Sequence, residues 1–301
     1  MSCCTNRSAQ VLAAVILTVL PAQRAWADFN LPAGWNRGST DTTYQQWETF
    51  TSTDGNPPNL PDVGLFNPNA PSGAGLNVYD SSGTSLITSD GNIYSFSAPT
   101  DMHVVVPNYG LGSNYTTVLL VQTRTQGSEL DYGDVAIGAT HPAVTQELMR
   151  QPLSTPFGAA YIVDTAFTWV LPGNAASYQI DLPAASTSMS FDRAAVDTLT
   201  ELTGDVTRDG IVNGLDISNM ASNWLHTGAV GALAGDANFD GIVNGLDISA
   251  VASNWLHSST TGGGAAALTA VPEPGTHLLA SAGAMILVVV ARATKRRTAR
   301  R

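Results

Sequence analysis

The ten residues DGIVNGLDIS occur twice in this chain, at 209–218 and again at 240–249. The likeness extends outward, because GDVTRDGIVNGLDISNMASNWLH (204–226) and GDANFDGIVNGLDISAVASNWLH (235–257) differ at only five of 23 positions. Each copy reads as a loop followed by an amphipathic helix, since apolar residues recur after the loop at i, i+3, i+4, i+7 and i+8. The stripes are Ile217, Met220, Ala221, Trp224 and Leu225, and Ile248, Val251, Ala252, Trp255 and Leu256. We expect the two stripes to pack together, because neither helix can bury its stripe alone.

The loops carry the spacing of a twelve-residue calcium loop. Such a loop needs oxygen ligands at positions 1, 3, 5, 7, 9 and 12 and glycine at position 6, here Gly210 and Gly241. The predicted ligands are Asp205, Thr207, Asp209, the Ile211 carbonyl, Asn213 and Asp216 in the first loop, and Asp236, Asn238, Asp240, the Ile242 carbonyl, Asn244 and Asp247 in the second. These hard oxygens predict two bound Ca²⁺ ions. Because Thr207 replaces a carboxylate or amide at position 3, we expect the first loop to bind calcium more weakly. Val212 and Val243, at position 8, are expected to point inward and pair the two loops.

No helix precedes either loop, since Gly204 and Gly235 open them directly. This loop-then-helix pair resembles a type I dockerin over 204–257. The resemblance implies calcium-dependent folding and binding to a cohesin-like module on another protein. Positions 10 and 11 help to choose the partner in that family, and here they are Gly214, Leu215, Gly245 and Leu246 instead of the Ser/Thr pair of many cellulosomal members. Nearly identical copies suggest two equivalent binding orientations; the alternative is a calcium-stapled stalk.

Both ends of the chain read as processing segments. Residues 1–27 combine Arg7, an apolar run at 11–20 and small residues before a cleavage site after Ala27, which is typical of a secretory signal peptide. Near the other end, an uncharged apolar run at 277–291 precedes six basic residues. At about 1.5 Å per residue this run predicts a short transmembrane helix with its basic end on the cytoplasmic side.

The apolar run follows the motif Val271, Pro272, Glu273 and Pro274. Together with the short apolar span and the terminal arginine cluster, this motif resembles the PEP-CTERM sorting signal of Gram-negative bacteria. The resemblance implies processing by an exosortase-type enzyme and release to the cell envelope or an extracellular matrix. The alternative is an ordinary tail that keeps the protein in the inner membrane.

Charge and cysteine usage exclude several functions. Both cysteines, Cys3 and Cys4, lie in the predicted leader, so the mature chain has neither a disulfide nor a Cys nucleophile. Residues 28–274 hold all 24 acidic residues against five arginines, a formal charge of −19. Such a body repels nucleic acid and attracts cations.

The body at 28–200 reads as β, because runs of β-branched and aromatic residues alternate with Gly, Pro, Asn and Asp turns. We predict a three-strand meander at 76–97, further strands at 102–107, 116–124, 134–138, 160–172, 177–183 and 186–191, and a short helix at 141–150. This spacing favours a jelly-roll-like β-sandwich.

The body carries little sign of catalysis, because the common hydrolase and phosphate-loop motifs are absent. Ten residues of the body are candidates for catalysis or sugar binding. They are two histidines, five carboxylates and three tryptophans: His103, His141, Glu129, Asp131, Asp134, Asp192, Asp197, Trp35, Trp47 and Trp169. Trp35 and Trp47 lie in polar surroundings and are candidates to stack on sugar rings, whereas Trp169 reads as core.

The sequence therefore predicts five segments: a signal peptide (1–27), a β-sandwich (28–200), a dockerin-like calcium-binding repeat pair (201–258), a linker (259–270) and a sorting tail (271–301). We expect a protein without chemistry of its own that binds calcium and mediates assembly at the cell surface. The alternative is an extracellular polysaccharide-degrading glycoside hydrolase, or its accessory protein, with a polysaccharide as partner.

Overall fold

The structure, a computed structural model, describes residues 29–67, 73–155 and 158–259. The predicted signal peptide, sorting motif and C-terminal transmembrane helix lie outside these residues and stay predictions. Within the described ranges, no helix has both the length and the apolar character needed to cross a membrane.

The described chain is mainly β, as predicted. Its strands are β1 (Thr42–Trp47), β2 (Val63–Asn67), β3 (Gly75–Tyr79), β4 (Leu86–Ile87), β5 (Ile93–Tyr94), β6 (Asp101–Pro107), β7 (Gly112–Gly127), β8 (Val144–Thr155), β9 (Gly158–Asn174), β10 (Ser177–Pro183) and β11 (Met189–Leu202). Two helices follow, α1 (Gly214–Ser222) and α2 (Gly245–Ser253).

The strands form two sheets that face each other across one core. The large sheet has the order β2-β1-β11-β7-β9-β8, with β5 added to β11 and β4 to β5, and the small sheet has the order β10-β6-β3. Trp47, Phe167 and Trp169 of the large sheet share the core with Val104 and Ile180 of the small sheet. The sandwich is therefore present, but its division into eight and three strands is more uneven than the jelly-roll-like arrangement that we expected.

Three local predictions in the body were wrong. Residues 141–150 form most of edge strand β8 instead of a helix, because the segment pairs along its length with β9. The meander at 76–97 does not exist, since β3 pairs with β6 in the small sheet while β4 and β5 join the large one. The segment 134–138 makes only isolated bridges. Pairing with distant strands decides each case and overrides local propensity.

Strand β11 connects the body to the repeat. It lies between β1 and β7 in the large sheet, and it is buried at nearly every position up to Leu202. The sequence predicted a strand only at 186–191, whereas the strand continues to Leu202 and is central in the sheet. Because β11 ends three residues before Asp205, the first calcium loop begins directly at the end of the large sheet.

Candidate calcium-binding repeat

The residues that cap the start of each helix are also predicted calcium ligands. In the first copy, the Asn213 side chain accepts a hydrogen bond from Leu215 N at 2.8 Å, and Asp216 accepts one from Asn213 N at 2.8 Å. The second copy repeats this capping box with Asn244 and Asp247. Loop positions 9 and 12 therefore also cap the helix, and this fixes the end of each loop relative to its helix.

The opening of each loop folds around the carboxylate at position 1. Asp205 accepts hydrogen bonds from Asp209 N at 3.1 Å and from Gly210 N at 2.7 Å. In the second loop, Asp236 accepts the equivalent bonds from Asp240 N at 3.1 Å and Gly241 N at 2.9 Å. The closing carboxylates, at position 12, accept from the loop backbone as well. Each loop is thus a backbone turn wrapped around two inward-facing carboxylates.

These four carboxylates are buried and have no basic side chain as a partner among the described residues. Asp205, Asp216, Asp236 and Asp247 are all buried, and within the described ranges none of them makes an ion pair with an arginine or histidine. Burial, reinforced by the Asp247 and Asp240 carboxylates, raises the pKa of Asp236 to about 6. Burial also raises the pKa of Asp205. Buried carboxylates need a positive partner, and a bound Ca²⁺ would supply it.

In each loop the predicted ligands are five side chains and one backbone carbonyl, at position 7. In the part of the chain that the structure describes, no three acidic, His or Cys side chains come close enough together to form a ready-made metal cage. Calcium would therefore also take neutral oxygens, such as the carbonyls at position 7. The Ile211 carbonyl accepts from Asn213 Nδ2 at 3.1 Å, and the Thr207 hydroxyl donates to Asp216 Oδ1 at 2.9 Å. The residue-by-residue ligand set stays a prediction.

The two copies are joined by an exchange of backbone hydrogen bonds. Val212 and Val243 point inward and are fully buried in one cluster, as expected. They do not pair the two loops with each other, however. Val212 N donates to His257 O at 2.9 Å, and Val243 N donates to His226 O at 3.0 Å. Each loop therefore pairs with the segment that follows the helix of the other copy, which gives the repeated Trp-Leu-His ending a structural role.

The glycine that opens each loop is required by this close packing. Gly204 and Gly235 have φ of +95° and +90°, which side chains rarely adopt. A Cβ on Gly204 would lie 3.1 Å from the Cα of Val251, and one on Gly235 would lie 3.1 Å from the Cα of Met220. Each opening glycine thus lets its loop approach the helix of the other copy.

The predicted packing of two long apolar stripes was wrong. The helices have nine residues each and end before Trp224 and Trp255, and only Met220 and Val251 of the stripes are buried. The other large apolar residues are exposed, in closely matched pairs: Leu215 60% and Leu246 61%, Ile217 39% and Ile248 40%, Trp224 44% and Trp255 45%, Leu225 67% and Leu256 66%. We call the first member of each pair face 1 and the second member face 2. Cross-copy pairing, rather than stripe packing, holds the repeat together.

The repeat contacts the body partly through a position at which its copies differ. At loop position 4, Phe239 packs in a cluster with Trp35 and Leu199 of the body. The same position in the first copy is Arg208, which forms an ion pair with Glu201 and donates to the Gly34 carbonyl at 3.1 Å. Residues common to both copies, Val212 and Val243, also share a buried cluster with Tyr115 and Leu202 of the body. The repeat is therefore symmetric where it faces solvent, whereas its contacts at loop position 4 are not.

The residues singled out in the body occupy structural positions. Trp35 and Trp47 are buried, so the prediction that they are available to stack on sugars was wrong; Trp169 is core, as predicted. Asp197 accepts a bidentate contact from Arg37, and Glu129 forms an ion pair with Arg150. Desolvation raises the pKa of Asp192, which lies near Arg193. His103 contacts Asp101 at 2.9 Å on the small sheet, and Nδ1 of His141 lies 3.2 Å from the Val135 carbonyl.

Comparison with known families agrees with this geometry. Residues 203–256 match the model of the dockerin type I domain. The match supports the dockerin-like assignment of the repeat and, with it, calcium binding and an assembly-type function through cohesin binding. No curated protein and no solved structure matches the chain.

Proposed function

We propose that this chain is an exported assembly protein whose dockerin-type repeat docks, in the presence of calcium, to a cohesin-type partner through either of two equivalent faces. The observation that carries the proposal is the matched exposure of face 1 and face 2. Corresponding residues differ in exposure by only one percentage point, so the body covers neither face. A partner that fits one face fits the other after a half-turn of the repeat.

The composition of the faces indicates how the partner would be bound. Each face presents a Trp, an Ile and two Leu to solvent, which is the kind of apolar anchor cluster that dominates protein–protein binding energy. Positions 10 and 11 add Gly214-Leu215 and Gly245-Leu246, where many cellulosomal relatives have Ser/Thr. We therefore expect a partner with an apolar pocket rather than one that reads hydroxyl groups.

Calcium would control the faces through the capping residues. Asn213 and Asp216 cap the helix that carries Leu215 and Ile217, and both are predicted ligands. Without the ion, two buried carboxylates in each loop lack a counter-charge, which weakens the loop and the helix start with it. We expect docking to require calcium for this reason, although no face residue is itself a ligand.

The test is a pull-down with the full chain immobilised and exposed to envelope extract of the source cells, with calcium and with chelator. A partner captured only with calcium, and lost from the double variant Trp224→Ala/Trp255→Ala, supports docking through the faces. Tyr79→Ala is the matched control, because it removes an aromatic residue of similar exposure from the small sheet. Capture that survives the double variant, or that ignores calcium, would contradict the proposal and favour a calcium-stapled stalk.

Export and sorting form the second part of the proposal. The predicted signal peptide ending at Ala27 and the predicted sorting motif at 271–274 support a location of the body and the repeat outside the inner membrane, either anchored by the tail or released after exosortase-type processing. Mass spectrometry of the protein from its source cells tests this directly. A mature N-terminus at Asp28 and a C-terminus near Pro272 are expected; an intact tail would favour a permanent membrane anchor.

The alternative function, hydrolysis of glycosidic bonds, needs two carboxylates facing each other across a sugar. Of the carboxylates that the sequence singled out, Asp197 and Glu129 are held by arginines. Turnover of a polysaccharide by the purified chain, lost on changing one carboxylate pair, would favour the enzyme over the assembly protein.

A further inference from the structure

An open cleft of about 630 Å³ lies at the end of the large sheet where β11 begins. Its floor includes a row across three neighbouring strands, since Ser190 of β11 is in register with Tyr94 of β5 and with Gln126 of β7. The outer part of the β8–β9 hairpin, including Tyr161, forms another part of its wall. The volume falls in the range of about 300–1,000 Å³ that is typical of small-ligand sites.

An aromatic ring is exposed in this cleft. Phe96 is 58% exposed. The Phe96 ring meets the Tyr94 ring at a centroid distance of 4.5 Å and an angle of 80°, so Tyr94 supports Phe96 from one side. Tyr161 also lines the cleft, but its side chain points to the opposite face of the sheet, because the neighbouring Ile162 is in register with Gln126. An exposed ring in a concave site indicates a ligand with apolar surface to cover it.

The polar groups of the cleft are all uncharged. The described residues that line it include Gln126, Ser128, Thr155, Ser188 and Ser190, but no Asp, Glu, Lys or Arg. Ser190 Oγ is held by Asn92 Nδ2 at 3.1 Å, whereas the hydroxyl groups of Ser128 and Ser188 make no hydrogen bond to another described residue. The body at 28–200 holds 16 acidic residues against four arginines, a formal charge of −12, so a concave surface without charged residues favours an uncharged ligand.

We propose that this cleft binds a neutral oligosaccharide. A sugar ring offers an apolar C–H face that stacks on an aromatic ring and a rim of hydroxyl groups that exchange hydrogen bonds with serine, threonine and amide side chains. The cleft presents both kinds of surface and no charge. It therefore takes over the role that the sequence had suggested for Trp35 and Trp47, with two different residues, Tyr94 and Phe96.

The position of the cleft separates this activity from docking. Ser190 and Leu202 lie twelve residues apart on β11, which at about 3.3 Å per residue places the cleft and the repeat about 40 Å apart. A bound sugar and a docked partner would not collide. The assignment therefore goes beyond the docking function and does not depend on it.

The test is a binding titration followed by NMR and calorimetry on the full chain with calcium present. The neutral probes are hexasaccharides of glucose, xylose and mannose, and the anionic probe is a galacturonate hexasaccharide. We expect one or more neutral probes to bind and the anionic probe to bind at least tenfold more weakly. Phe96→Ala should weaken binding about three- to tenfold, since the ring is exposed and its removal leaves the core intact. Ser128→Ala removes a hydroxyl group of the cleft and should weaken binding about two- to fivefold. Tyr79→Ala, outside the cleft, should have no effect.

The proposal is contradicted if no neutral probe binds, if the galacturonate probe binds best, or if neither cleft variant changes the affinity for the sugar. Capture of an apolar peptide with loss of the sugar would assign the cleft to a protein partner instead. Chelation of calcium separates this site from the docking site: sugar binding should persist when partner capture is lost. If sugar binding is lost when calcium is removed, the sugar site lies on the repeat and the assignment is contradicted.

Discussion

The two copies of the repeat are almost the same in sequence, but they differ in how they contact the body. Toward solvent they are interchangeable, because each presents a Trp, an Ile and two Leu with matched exposure. Toward the body they diverge, since Phe239 is buried against Trp35 and Leu199 while Arg208 forms a half-exposed ion pair with Glu201. The second copy thus contacts the body through a buried ring and the first through an ion pair, while residues of both copies pack with Tyr115 and Leu202. A duplicated module can keep two equivalent binding faces although its two copies contact the neighbouring sheet differently.

Calcium removal should have the largest effect, and it should affect both copies alike. Four buried carboxylates lose their counter-charge together, so the repeat should melt well below the body. At free calcium 1,000-fold above the Kd, binding stabilises the loaded form by about 4 kcal/mol. Calorimetry with calcium and with chelator checks this. A single transition that is insensitive to chelator would contradict calcium-dependent folding of the copies.

Phe239→Ala should have the second-largest effect, and it should reveal how the two copies differ in their contact with the body. It removes a buried ring from the contact with the body and should lower the free energy of unfolding by about 3 kcal/mol. The equivalent change in the first copy, Arg208→Ala, removes a half-exposed guanidinium from a mostly buried Glu201 carboxylate and should cost about 1–2 kcal/mol. The loss stays below that of the ring because burial raises the pKa of Glu201 to about 7, so the unpaired carboxyl can take up a proton. Denaturant unfolding of both variants is the measurement. Equal losses would mean that the two copies contribute equally to attachment.

Acidification should weaken calcium binding, most clearly in the second loop. The pKa of Asp236 without calcium is raised to about 6, so below that pH a proton competes with the ion. Because the folded-state pKa is raised, protonation stabilises the calcium-free repeat at low pH, and this stabilisation disappears as the pH rises through about 6. Calcium titrations at pH 5 and pH 7 test both statements. Identical affinities at the two values would show that Asp236 is not protonated in the calcium-free loop.

Thr207→Asn should make the first loop more like the second. Position 3 would gain an amide oxygen and lose the hydroxyl that donates to Asp216. If Thr207 is the reason for a weaker first loop, the substitution should strengthen its calcium affinity by about 1 kcal/mol, the worth of one good ligand-like polar contact. Calorimetric titration, with Asn238→Thr as the reverse change, resolves the two sites. The prediction fails if the affinities of the two loops do not converge in Thr207→Asn.

Loss of one docking face should have the smallest effect. With two equivalent faces, Trp224→Ala alone removes half of the binding orientations and should weaken partner binding only about twofold, which is about 0.4 kcal/mol. Trp255→Ala should behave in the same way. Affinity measurements on the two single variants beside the double variant decide this. A large loss from only one of the single variants would show that the faces are not equivalent.

The body illustrates what sequence patterns miss. Strands β6 and β10 could be located because strong β-branched runs and clear turns bound them. Residues 141–150 could not, since edge strand β8 exists only through its pairing with β9. Equally, no pattern indicates that Arg37 meets Asp197, 160 positions away, or that Trp35 lies under the repeat. Contacts between such distant residues leave no local periodicity.

The sequence by itself determined the calcium loops, because a loop and its capping box depend on residues within twelve positions of one another. It also determined that the copies are equivalent, through their near identity. Only the tertiary structure decided that each loop pairs with the end of the other copy, that the apolar residues after the helices face solvent, and that Phe239 holds the repeat on the large sheet. Those outcomes depend on which distant surfaces exclude water together, and that is a property of the packed chain rather than of any local pattern.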